Sequence, residues 1–186
     1  MDDAGEPKER ETRRTRPVTR EYLFRAAVHY LERYASSIEN LRRVLQRKVA
    51  RRARERGETA SDFEPLIDET VARLTELKLL DDVGFAEARV ASLRRRGTSR
   101  RQLAAKLAQK GVDRETAERA MAGDETSEAS AAAAYAKRRR LGPHRLRERF
   151  ERRDRDVAAM VRAGFSYGEA ARVIDGEAED GRPPDL

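Results

Sequence analysis

Cysteine is absent from this 186-residue chain, and so is tryptophan. Without a thiol there can be no disulfide, no thiolate zinc site and no cysteine nucleophile. Aromatic residues make up only 5% of the chain. Most of them (Tyr30, Tyr34, Phe63, Phe85) fall on apolar stripes, which argues against bases stacking on exposed rings. No segment reaches the ~20 consecutive apolar residues of a membrane helix. The opening stretch, MDDAGEPKERETRRTRP, has none of the apolar run a secretory signal needs. A cytosolic protein without membrane contact is expected. Catalytic signatures are missing too: there is no phosphate-binding Gly-x-x-x-x-Gly-Lys-Ser/Thr loop, no Gly-x-Gly-x-x-Gly turn and no His-Glu-x-x-His helix. His29 lies within an apolar helix and His144 far away in a turn. The adjacent carboxylates Asp81 and Asp82 suit a helix cap better than an acid–base pair. Neither a catalytic residue nor a metal ligand nor a cofactor is expected, and the chain reads as no enzyme.

Charge is what the sequence has in quantity. Charged residues are 40% against 38% hydrophobic, with a net charge of +7 and a pI near 10.0. A thick single core is not available at that ratio, and thin helical layers fit it better. The basic balance points to polyanionic partners or acidic protein grooves.

Strand-like alternation is absent, while Ala, Leu, Arg, Glu and Lys dominate, so an all-α fold follows. Residues 1–17 and 176–186 have little to bury and read as disordered tails. A first unit spans 18–80. Its first helix, from Thr19 to Tyr34, aligns Leu23, Ala27, Tyr30, Leu31 and Tyr34 on one face. A second helix begins at Ser36, where Glu39 completes a capping-box spacing, and turns Arg-rich before Gly57. A third begins near Asp62 with Pro65 in its first turn and a stripe running from Phe63 to Leu77.

The pattern then repeats over 81–123. Asp81 or Asp82 caps a helix that ends at Gly97. Ser99 and Gln102 open the next, which stops at Gly111-Val112 in the manner of a Schellman motif. Over 124–175 a third unit follows: an Ala-rich helix from Ser127, a stripe of Val157, Met160 and Val161, a stop at Gly164-Phe165, and a Ser166/Glu169 box. Leu23, Ala26, Val28, Leu31, Leu41 and Leu45 map at constant offset onto Phe85, Ala88, Val90, Leu93, Leu103 and Leu107. Tandem three-helix repeats, each needing its neighbour to bury its faces, are therefore expected.

The segment LLDDVGFAEARVASLRRRGTSRRQLAAKLAQKGV resembles the central repeat of the RecX family. LFRAAVHYLERYASSIENLRRVL resembles that family's opening repeat, and AAYAKRRRLGP with MVRAGFSYGEAARVI its third. The stretch Arg47–Arg56 lengthens the second helix beyond the usual form. The resemblance implies an elongated, curved helical array that lodges in the groove of a RecA–DNA filament and restrains ATP hydrolysis, strand exchange and co-protease activity; a monomer is expected. Recombination and the SOS response to DNA damage would be damped as a result.

Two basic clusters are the candidate contact residues for RecA or for the DNA backbone. Arg94, Arg95 and Arg96 end one helix, Arg100 and Arg101 begin the next across a Gly-Thr-Ser turn, and Lys106 and Lys110 continue along it. Lys137, Arg138, Arg139, Arg140 and Arg145 form the counterpart. A helix dipole accounts for a cation or two per end. It does not account for five around one turn. Guanidinium forks suit phosphates and carboxylates alike, so a DNA-binding regulator acting without RecA is the second reading. Sequence-specific readout is disfavoured, because the helix after Gly111, DRETAERAMAG, is short and acidic.

Overall fold

The computed structural model describes residues 16–176. The expected tails lie outside the described residues apart from Arg16, Pro17 and Gly176. Every regular element described is helical: α1 (Arg20–Leu31), α2 (Ile38–Arg56), α3 (Glu64–Glu76), α4 (Asp82–Arg95), α5 (Arg100–Gln109), α6 (Arg114–Ala122), α7 (Glu128–Arg139), α8 (Arg153–Arg162) and α9 (Tyr167–Asp175), with 3-10 turns at Ala60–Phe63 and Gly142–His144. The all-α fold of tandem three-helix repeats is therefore what the chain adopts.

Short polar residues start most of these helices. The side chains of Thr19, Ser37, Asp81, Ser99, Asp113, Ser127 and Ser166 each accept an N–H from the first turn that the helix cannot satisfy itself. Ser166 and Glu169 complete the expected reciprocal box. The cap of α2 is Ser37, one residue later than the sequence spacing suggested. Ser36 instead accepts from the Asn40 side chain at 2.7 Å. At Gly111 and Gly164 the backbone is left-handed (φ +75° and +92°), and the residue after each donates back to Leu107 and Met160 respectively. These are the Schellman ends that Gly-aliphatic and Gly-aromatic pairs encode.

Each trio of helices closes over its own apolar cluster. Leu23, Leu41, Leu45, Ile67 and Leu74 are fully buried among α1–α3. Ala86, Leu103 and Leu107 are fully buried among α4–α6, and Ala132, Ala136, Met160 and Ala170 among α7–α9. Three residues assigned to stripes face solvent instead. Tyr34 lies beyond the end of α1 and is 57% exposed, while Leu77 and Val161 are 44% and 40% exposed.

Neighbouring trios are joined by the same device twice. The Ser37 hydroxyl donates to the Lys110 carbonyl, and the Ile38 N–H donates to Asp82 Oδ1 at 2.8 Å. One unit along, the Ser99 hydroxyl donates to the Ala163 carbonyl at 2.6 Å and the Arg100 N–H to Glu128 Oε1 at 3.1 Å. In both, a serine N-cap meets the last carbonyls of the next unit's middle helix. The following N–H meets a carboxylate at the start of that unit's first helix. Contact is close enough that a Cβ on Gly111 would run into the Glu39 side chain, and one on Gly164 would sit 2.5 Å from Ser99 Oγ.

Candidate cationic surface

The twelve predicted contact residues divide sharply once their partners are known. Arg94 is completely buried. Its guanidinium donates to Asp124 and Glu128, both at 2.8 Å, and to the carbonyls of Thr98 and Thr126 at 2.9 and 2.6 Å. Arg94 is thus a bolt between the second and third trios and leaves the contact surface. The reason is physical: Glu128 must be held in place to receive Arg100, and a fork with several donors can do so from inside. Burial disfavours the charged form of Asp124, but hydrogen bonds from Arg94 and Thr126 outweigh it and hold its carboxyl below the ordinary value.

Arg145 is likewise a structural residue. It grips Asp156 with two bonds of 2.7 Å, and Asp156, 2% exposed, also accepts the Gly142 N–H at 2.9 Å. Burial again opposes the charge, and Arg145 with Gly142 overcomes it, leaving the Asp156 carboxyl below its usual range. Lys110 spans the first junction, donating to Asn40 at 3.2 Å. The Arg100 side chain reaches the Asp124 carbonyl at 3.3 Å.

Eight cations remain. Arg95, Arg96, Arg101, Lys137, Arg138, Arg139 and Arg140 are exposed and Lys106 is half-buried, and none pairs with a carboxylate among the described residues. The two sequence clusters are not separate. Gly97 seats so closely on α7 that a Cβ there would overlap the backbone of Ala131 and Tyr135. Arg95 and Arg96 immediately precede that contact. Arg138 stacks 5.7 Å from the Tyr135 ring centre on the other side of it. Arg101 lies against Gly164, two residues beyond Arg162 in the last turn of α8. Arg162 is also exposed, and the sequence reading had not included it. Its signal was available, since a last-turn cation preceding a Gly-Phe stop parallels the cations preceding Gly97.

The Arg47–Arg56 extension is the distal half of α2. Val49 and Ala53 bury its inner face, while Arg47, Arg51 and Arg54 stand exposed at i, i+4 and i+7. No described helix is long and apolar enough to cross a membrane, and no trio of His, Cys, Asp or Glu among the described residues could hold a metal ion.

Fold and surface together define an all-helical repeat protein with a cationic seam between its second and third units. A protein-family description, "RecX, second three-helix domain", matches residues 81–121, which is α4 to α6 with the first cap. A protein of Myxococcus xanthus named "Regulatory protein RecX" is 43% identical over 183 residues, covering 94% of this chain and 98% of that one. Proteins of the same name from Agrobacterium fabrum and Thermobifida fusca are 35% and 37% identical over 159 and 115 residues, covering 83% and 61% of this chain and 84% and 62% of theirs. No solved structure matches. The chain belongs to the RecX family.

Proposed function

We propose that this protein binds the filament that RecA forms on DNA and restrains it, lowering ATP hydrolysis, strand exchange and co-protease activity. Recombination and the SOS response are damped in consequence. Family membership supports the regulatory role. The observation that carries the surface is the run of carboxylate-free cations on both sides of the Gly97–Tyr135 contact. Cations left without internal carboxylate partners suit the acidic faces and phosphates that a nucleoprotein filament offers. Binding across adjacent subunits would hold them in one conformation and stall the cycle, so the protein acts by occupancy rather than by catalysis, in the cytosol and as a monomer.

Titration against RecA on single-stranded DNA tests this: hydrolysis should fall at equimolar or lower amounts. Unchanged hydrolysis and strand exchange overturn it. The second reading, binding to DNA without RecA, draws on the same cations, because they fit phosphate equally well. A mobility-shift series over salt, run with and without RecA, separates the two, since binding to DNA alone should appear without RecA and weaken steeply as salt rises.

A further inference from the structure

The link between α7 and α8 occupies residues 140–152, whereas the corresponding link between α4 and α5 is only 96–99. Its second half, Arg145 to Arg152, is held from within. Arg145 is locked to buried Asp156, Arg149 donates to the Gly176 carbonyl, and Arg152 pairs with Glu148 at 2.6 Å. Glu148 adopts a left-handed backbone (φ +55°), which a loop keeps only when its surroundings enforce it. So buttressed, the loop places Phe150 82% exposed, a large apolar side chain facing water. The Arg149 guanidinium lies 5.7 Å from the Phe150 ring centre, and Arg147 and Arg155 nearby are exposed, with Arg155 also within Coulombic reach of Glu148.

We infer that Phe150 is a stacking platform for a base of single-stranded nucleic acid, with Arg147 and Arg155 meeting the flanking phosphates. The second exposed apolar side chain, Leu146, stands four residues before Phe150 with Arg147, Glu148 and Arg149 between them, so charge interrupts the apolar sequence of the loop. A single ring set among guanidinium groups is the arrangement single-strand binders use: the ring takes a base and the cations take the backbone. This site is distinct from the seam at Gly97 and goes beyond the restraint proposed above.

The test uses the full chain without RecA, an oligo(dT) strand, and an abasic phosphodiester strand of the same length. Phe150→Ala should weaken oligo(dT) binding about 5-fold or more, the cost of one lost stack, and leave abasic binding unchanged. Arg147→Ala with Arg155→Ala should weaken both. The chain has no tryptophan, so Phe150→Trp supplies a single reporter whose emission oligo(dT) should quench and the abasic strand should not. The inference fails if the wild type does not bind oligo(dT), or if Phe150→Ala binds it normally or loses both strands equally. It also fails if the Trp emission is unmoved at saturation. Should Phe150→Ala spare oligo(dT) yet weaken binding to RecA filaments, the ring anchors protein and the inference is wrong. The oligonucleotide readouts contain no RecA, so their failure leaves the ATPase titration standing.

Discussion

A guanidinium removed from water is costly to leave unpaired, and its loss from a buried pair strands the carboxylates that faced it. Arg94→Ala would leave Asp124 and Glu128 without their shared partner. We expect it to lower the free energy of unfolding by about 3–5 kcal/mol, read by urea denaturation. Arg95→Ala, one position along and exposed, should change it by less than about 0.5 kcal/mol. The same carboxylates set an acid limit. Asp124 and Asp156 both lie below the ordinary aspartate value of 3.8 in the folded chain. Their stabilisation is therefore fully present above that value and is lost as pH falls through the lower folded values. Stability followed below pH 4 should fall less steeply in Asp156→Asn, which is already weakened at neutral pH, than in the wild type.

Helix starts and stops were largely legible, because a cap is a local bargain between one side chain and the next turn. Ser99, Ser127, Ser166, Gly111 and Gly164 all sit where spacing put them. Ser36 was misread because its spacing to Glu39 is ideal locally, while Ser37 is fixed from afar by the Lys110 carbonyl. Arg94 was misread for the same reason: its partners lie 30 and 34 residues on, and nothing within one turn of helix distinguishes it from Arg95. Phe150 escaped notice because it belongs to no stripe, and a loop has no periodicity to read. Two left-handed glycines show what tertiary context adds. An alanine at Gly57, which has open space around it, should cost about 1–2 kcal/mol for its backbone alone. At Gly164, pressed on Ser99, overpacking should add about 1–3 kcal/mol more. Thermal melts of the two variants give the comparison.

Across the whole molecule, restraint of RecA should depend on the seam and not on total charge. Changing Arg95, Arg96, Arg138 and Arg139 together to Ala should abolish most inhibition in the ATPase titration with helicity unchanged by circular dichroism. An equal removal of charge at Arg20, Arg73, Arg114 and Arg119, each already paired with a carboxylate, should leave inhibition in place. Equal effects from the two variants would mean that the seam is not the working surface.

The junctions also give the described array a direction. Each of the first two units offers a plug, Ser37-Ile38 or Ser99-Arg100, and each of the last two offers a socket, Asp82 with Lys110 or Glu128 with Ala163. At the far end the plug position holds Arg152, which caps nothing. At the near end the socket is blocked twice over. Arg20 begins α1 where a carboxylate would be needed, and α2 runs on past Lys48, so that residue's carbonyl stays inside the helix. The arginine-rich extension thus has a second consequence besides its charge. It leaves the first unit without the socket that the second and third present, so the described junctions run one way along the chain.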